Sequence, residues 1–327
     1  MRILLCALLL LSAFSKRSEG KDQLSAAEDK DQPPEPASFD ARPSSPKSES
    51  QPDELGYGDD VRLFDTPAQA VEEILKSKPR IIGFGEYHKL ANSAPVQSAL
   101  YRFANEIFDV LAPQSAHLIL ETWSIDPSCG AKAKAVTEVV EKTIQRPAET
   151  ENEMQILLRK SQEFGVAGHV LPFTCDEYKA LLSAKGLDTE KLLEVVSAKL
   201  GQEGKAAFAI SPAPSMVLLY GGATHNNLTP YQGLEAWSYA QDLAAVTKSS
   251  FIEVDLYVPE FVEGDPILSQ EAWYPLLKEA RTNQVVLIRR SPSSFILLMR
   301  KALAMPAAQG ATPGTEALKA APEIPAQ

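Results

Sequence analysis

The sequence predicts an α/β protein: one domain with a mostly parallel central sheet and helices on both faces. Three observations lead there. Short apolar runs alternate with longer segments of helical periodicity between Thr66 and Met299. The apolar runs are continuous rather than alternating with polar residues, as in strands buried on both faces. The span from Tyr57 to Lys301, about 245 residues, is long enough for one large core.

The elements follow in order. Thr66-Pro67-Ala68-Gln69 opens a helix, with Thr as N-cap, Pro in the first turn and Gln closing a capping box. That helix is expected to run to Lys78, where Pro79 stops it. Arg80 to Gly85 is a short buried strand. Ser93 to Leu111 is a helix, because Val96, Leu100, Phe103, Ile107 and Leu111 follow a 3.6-residue period. His117 to Glu121 is the second strand. Helices are expected over 131–145 and 151–164, and a third strand over 168–173. Asp188-Thr189-Glu190 caps a helix to Leu200. Met216 to Tyr220 is a strand, Leu234 to Val246 a helix, Phe251 to Leu256 a strand and Pro266 to Arg281 a helix. Gln284 to Ile288 and Phe295 to Met299 close the sheet.

The ends read differently. Met1-Arg2, the apolar stretch Ile3 to Phe14 and the small residues Ala13 and Ser15 form a secretory signal pattern, cut after Ser15. The protein is therefore expected outside the cytoplasm, periplasmic or extracellular. Lipid anchoring through Cys6 is disfavoured, because Ile3-Leu4-Leu5 lacks the small residues that lipidation needs. Residues 16–56 are a polar linker, suited to tether the domain at an envelope surface, and 302–327 are an Ala/Pro-rich tail; both are expected to be disordered. The net charge is −11. An acidic chain repels phosphates, so nucleic-acid binding is excluded. No apolar run reaches the ~18 residues of a membrane span, which excludes a polytopic membrane protein. Export leaves Cys129 and Cys175 as an even pair in an oxidising compartment. Each lies a few residues past a strand, where they either form a disulfide at the rim of a site or remain two buried thiols.

In parallel α/β sheets, ligands collect beyond the carboxyl ends of the strands. The residues there are Gly85-Glu86-Tyr87-His88, Glu121-Thr122-Trp123, Thr174-Cys175-Asp176 and Gly221-Gly222-Ala223-Thr224-His225. Two of the four histidines thus follow apolar strands, each with a carboxylate or glycine beside it. Imidazoles and carboxylates are the groups that ligate a metal or activate water. Asp255 also lies on a strand, where alternation would turn it toward solvent. His117 and His169 begin strands at the opposite edge and read as structural. Tyr87 and Trp123 either line a pocket or pack. Ser211 and Ser215 lack a nucleophile-elbow pattern, and no P-loop or dinucleotide fingerprint is present.

Gly85-Glu86-x-His88 resembles the GExH motif of the ChaN-like, haem-binding-uptake/Tiki superfamily. Glu121 falls where that group has an acidic residue after its second strand, and Gly222-x-x-His225 resembles its late GxxH motif. The group is similar in fold to erythromycin esterases and TraB/Tiki proteases. The resemblance implies three chemistries. Tiki-like members are metal-dependent peptidases, esterase-like members activate water with His and Glu, and ChaN-like members bind haem or iron. For this sequence it implies a hydrolase of an ester or amide, acting on a small molecule or peptide through Glu86, His88, Glu121 and His225. In a metal site these residues, with Asp176 nearby, would hold a divalent Zn, Mn or Fe ion. In a metal-free site one His is the base and a Glu orients it. Haem capture, with Tyr87 or His88 as axial ligand, is the binding-protein alternative, and an inactive scaffold is the third.

Overall fold

The structure is a computed structural model describing residues 60–183 and 186–302, together with Leu4 and Leu5. Those two leucines form strand β1, antiparallel to Trp123 and Thr122. The expected leader (but for these residues), the linker and the tail beyond Ala302 lie outside the described residues. The other strands are β2 (Val61–Phe64), β3 (Ile81–Glu86), β4 (Ser115–Ile125), β5 (Ala167–Phe173), the small β6 (Leu182–Ser183) and β7 (Gly186–Leu187) pair, β8 (Met216–Gly222), β9 (Phe251–Tyr257), β10 (Val285–Ser291) and β11 (Ser294–Leu298). The main sheet has the order β5-β4-β8-β3-β9-β11-β10-β2. The first six are mutually parallel, and β10 and β2 add antiparallel at the far edge. The α/β class expected from the sequence is the fold observed.

Helices cover both faces. On one face Phe84, Phe103, Phe108, Leu118 and Tyr220 pack with Val71 and Ile74 of helix Pro67–Leu75. On the other, Ile81, Ile119, Trp123 and Leu219 meet Val196 and Leu200 of helix Thr189–Ile210 and Leu243 of helix Ala240–Val246. Each fully buried aliphatic or aromatic side chain contributes about 1.5–3 kcal/mol from water exclusion. Among the described residues, no helix is long and apolar enough to cross a membrane.

Several boundaries differ from expectation for identifiable reasons. The first helix has its capping box, Gln69 N–H to Thr66 Oγ1 at 3.2 Å, but ends at Leu75. Lys78 then turns left-handed (φ +55°), so Pro79 is not the stop. The second starts at Ala99, capped by Ser98, because Pro95 cannot donate within a helix. Its middle, Phe103–Ile107, is a π-helical turn. Helix Thr189–Ile210 continues ten residues past Leu200. Gly201 and Gly204 interrupt the apolar pattern because Tyr239 and Leu243 press against them. The helix expected over 266–281 is instead two 3₁₀ turns, Leu268–Gln270 and Tyr274–Glu279. Asp265 caps the first, and Pro275, at the start of the second, has no N–H to donate back to the segment between them.

Cys129 and Cys175 form a disulfide with a Cα–Cα separation of 5.3 Å. It joins the segments that leave the neighbouring strands β4 and β5, at the sheet's carboxyl end.

Candidate active site

Four sequence-selected residues converge beyond β3, β4 and β8: Glu86 (4% exposed), His88 (4%), Glu121 (1%) and His225 (2%). Strand alternation puts Phe84 and Glu86 on one face of β3, so Glu86 emerges directly past the aromatic core. Phe103 packs 4.7 Å from the Tyr220 ring, and the Tyr220 hydroxyl donates to Glu86 Oε2 at 2.7 Å. Glu86 Oε1 lies 2.6 Å from His88 Nδ1. Glu121 sits in a bulge of β4, where the register with β5 shifts between Leu120 and Trp123. A bulge re-aims a side chain, and Glu121 Oε2 receives the Gly222 N–H at 2.5 Å. A Cβ on Gly221 would come 2.5 Å from Glu121 Oε2, and one on Gly222 would come 2.8 Å from His88 Nε2. Only glycine lets β8 approach both groups this closely.

His225 lies in the loop after β8. Its Nδ1 is 2.9 Å from the Trp237 carbonyl, and its own carbonyl accepts from Tyr239 N–H and Ser238 Oγ. Its Nε2 therefore carries the lone pair, 3.8 Å from Glu121 Oε2. His88 Nε2 is 3.9 Å from the same oxygen. Both imidazoles thus present Nε2 toward Glu121, each fixed by an acceptor at Nδ1.

Arg146 completes the cluster. Its guanidinium, with the side chain 8% exposed, donates from Nη2 to His88 Nε2 at 2.9 Å and stands 3.9 Å from Glu121 Oε1. It comes from the turn between helices Gly130–Ile144 and Glu149–Glu163, just after Gln145, which is left-handed at φ +51°. Sequence reasoning missed it because Arg146 follows no strand; its role depends on how a helical hairpin folds back over the sheet. The Arg146-Pro147 helix break was the only local sign. Tyr220 was missed as one more apolar strand residue. Glu153, which accepts from Ser98 Oγ at 2.7 Å, lies just outside the cluster.

Burial and charge split the titrations. Burial raises the Glu86 carboxyl, but the His88 interaction, Arg146 and the Tyr220 hydroxyl together pull it below its ordinary range. Burial, then the Arg146 charge, lowers His88. Burial raises Glu121. Burial also lowers His225, to about 4. At neutral pH the site therefore holds an ionised Glu86 and two neutral imidazoles, with Glu121 the carboxyl more ready to keep a proton. Glu121 Oε1 is buried with no hydrogen-bond partner among the described residues.

Two sequence candidates are not brought in. Tyr87 alternates away from Glu86 and His88, packs with the cluster around Tyr257 and Trp273, and donates to Asp265 at 2.9 Å. Asp176 is exposed in the first turn of helix Cys175–Lys179, whose cap is Thr174. Both depart from the expected site, Tyr87 by strand alternation and Asp176 by serving an ordinary helix start. Trp123 is core, 5.5 Å from the Phe173 ring. Asp255 is buried rather than solvent-facing, held at 2.7 Å by Arg290, because β9 is covered on both faces. His117 and His169 pair with each other at 2.8 Å at the opposite end of the strands.

The donor set was also tested against the implied groups. His88, His225 and Glu121 are metal-ligating types, but a guanidinium occupies the His88 lone pair, a place a cation would need. Among the described residues no group of His, Cys, Asp and Glu is spaced to hold a metal. Arg146 Nη2 stands where a cation bound at His88 Nε2 would sit, and Tyr87 is turned away, which leaves His88 of the two axial ligands expected for haem.

No family model matches the sequence. No curated protein matches it either. A search of solved structures returns one described as the type III effector HopBA1, with a TM-score of 0.35 and 10% identity. The match covers 75% of this chain and 99% of that one. The class in hand is thus an α/β protein with a buried His–Glu–Arg cluster at the carboxyl end of its sheet.

Proposed function

We propose that the protein is a hydrolase in which His88 takes a proton from water that attacks an ester or amide carbonyl of a small molecule or peptide. The observation carrying this reading is the 2.6 Å pairing of Glu86 with His88 Nδ1. It sets the tautomer, leaving Nε2 as the base, and an ionised Glu86 stabilises the imidazolium that forms. Glu121, raised where Glu86 is lowered, is placed as the acid for the leaving group. Two carboxyls with opposed shifts divide in this way between roles. Arg146, held against His88 Nε2 and near Glu121, supplies positive charge beside the developing oxyanion. The GExH and GxxH likeness to the ChaN-like/Tiki superfamily leads in the same direction. We place the protein in an exported setting, a reading supported by the leader pattern and the Cys129–Cys175 disulfide.

The test is turnover of a panel of chromogenic esters and anilides by the protein and by His88→Gln and Glu86→Gln. His88→Gln is expected to lower kcat/KM by about 10²–10⁴. In the parent, the base must be neutral and Glu121 protonated. Activity should therefore rise through a His88 pKa below 6.5 and fall through a Glu121 pKa above 4.5. His88→Gln at parental rates would reject the reading. One equivalent of a transition metal in the parent, lost in His88→Ala and His225→Ala, would replace it with metal-assisted hydrolysis.

A further inference from the structure

We infer that Tyr220 is a positioning residue for the proposed reaction: its hydroxyl locks the Glu86 carboxylate in the orientation that keeps the His88 proton on Nδ1. This rests on the hydrolase reading and adds to it the group that holds the base in register. Glu86 presents Oε1 to His88 Nδ1 at 2.6 Å. Its other oxygen, Oε2, receives the Tyr220 O–H at 2.7 Å. Among the described residues, Tyr220 is the only hydrogen-bond donor to Oε2. With one donor on each oxygen, the carboxylate cannot turn without breaking a hydrogen bond in a buried place, where an unmade bond is costly. Such second contacts are what hold a reacting constellation to its working geometry.

Strand register delivers the hydroxyl. Tyr220 pairs with Phe84 of β3 and with Leu120 of β4, and Gly222 pairs with Glu86. Tyr220 and Glu86 therefore lie diagonally on one face of neighbouring strands. The Tyr220 side chain is fully buried. A phenylalanine would fill the same apolar place, so packing does not call for the hydroxyl. Glu86 does. Burial, then the Glu86 charge, hold the phenol well above its ordinary pKa, so it stays a donor.

The core behind Tyr220 keeps its ring from swinging. Phe103 packs 4.7 Å from the Tyr220 ring and 4.9 Å from that of Phe84. Phe103 opens the π-helical turn Phe103–Ile107, in which Phe108 N–H donates to Phe103 O. In an ordinary α-helix, residues five apart point about 140° away from each other. The wider turn brings Phe103 and Phe108 to one side, with rings 6.2 Å apart and both side chains fully buried. Single π turns recur within helices at functional sites. Here Phe108 backs Phe103, Phe103 backs Tyr220, and Tyr220 holds Glu86.

The experiment is long-range ¹H–¹⁵N correlation of the histidine rings at pH 7 in the parent, Tyr220→Phe and Val71→Ala. Tyr220→Phe keeps the ring and removes only the donor. Val71→Ala loosens the same core and leaves the hydroxyl in place. The parent should carry the His88 proton on Nδ1. Tyr220→Phe should speed solvent exchange of that proton about tenfold or more, the loss of one hydrogen bond to a charged group. It should also move the two His88 nitrogen shifts toward each other, as the carboxylate turns and both tautomers fill. Val71→Ala should leave the His88 signals in place while lowering the denaturation midpoint. Unchanged His88 signals in Tyr220→Phe, or an equal change in Val71→Ala, overturn the inference. The parent spectrum separates the two readings. A His88 proton on Nε2 there fails the hydrolase reading, whereas a proton on Nδ1 that Tyr220→Phe does not disturb fails only this one.

Discussion

Two buried polar clusters sit on the same sheet, each with an arginine and two carboxyls, and they are wired differently. In the first, Arg290 Nη2 donates to Glu253 Oε1 and Asp255 Oδ2, both at 2.7 Å, and its Nε donates to Ser294. In the second, Arg146 donates to an imidazole and stands 3.9 Å from the nearer carboxylate oxygen. Arg290 neutralises acids directly, as a structural clamp does. Arg146 rests on the base, while Glu86 and Glu121 are spent on a histidine and a backbone amide. The contrast teaches that burial and charge alone do not mark a site. The mark is a cation placed on a proton acceptor, beside two carboxyls whose titrations are pushed in opposite directions.

The largest expected effect tests the clamp. Arg290→Gln would remove the guanidinium that both Glu253 and Asp255, 1% and 3% exposed, hydrogen-bond. It is expected to cost about 3–5 kcal/mol, read by chemical denaturation. Arg146→Gln should cost only about 1 kcal/mol, because its hydrogen bond to His88 is made to a neutral imidazole and not to a carboxylate. Equal costs would erase the distinction between the clusters.

The next effect is in pH. His225 falls to about 4 in the folded chain from an ordinary 6.5, so the unfolded chain binds the extra proton between those values. Its contribution is present above pH 6.5 and is lost as pH falls toward 4, by roughly 3 kcal/mol in all. Glu253 does the reverse. Burial and the neighbouring Asp255 raise it to about 7 from 4.5, so the folded chain holds the extra proton and stability falls as pH rises between them. The two slopes oppose each other. Relative to the parent, His225→Gln should therefore lose stability as pH rises from 4.5 to 6.5, and Glu253→Gln should gain it. The same slope in both variants would contradict the assignment.

Much of this was legible in the sequence. The strand-then-polar pattern located Glu86, His88, Glu121 and His225, because a parallel sheet delivers its carboxyl-end residues to one place. The same rule overreached at Asp176, where a residue after a strand was only starting a helix. It gave Tyr87 to the site because the sequence does not state which face a residue takes once a strand ends. Arg146 and the Arg290 clamp were hidden for a different reason. Each depends on a contact between segments distant in sequence: 58 residues separate Arg146 from His88, and 35 separate Arg290 from Asp255. Helix boundaries failed where glycines packed against neighbours or a proline had no N–H to donate, as at Gly201 and Pro275.

The central claim is that His88 is a neutral base with its proton held on Nδ1 by Glu86. Long-range ¹H–¹⁵N correlation of the histidine rings at pH 7 tests it most directly. The account predicts that His88 and His225 carry the proton on Nδ1 with Nε2 bare, and that both stay neutral below pH 6.5, His225 to about pH 4. It also predicts that Glu86→Gln disturbs the His88 signals and leaves those of His225 in place. A His88 proton on Nε2, or an imidazolium at pH 7, would contradict it.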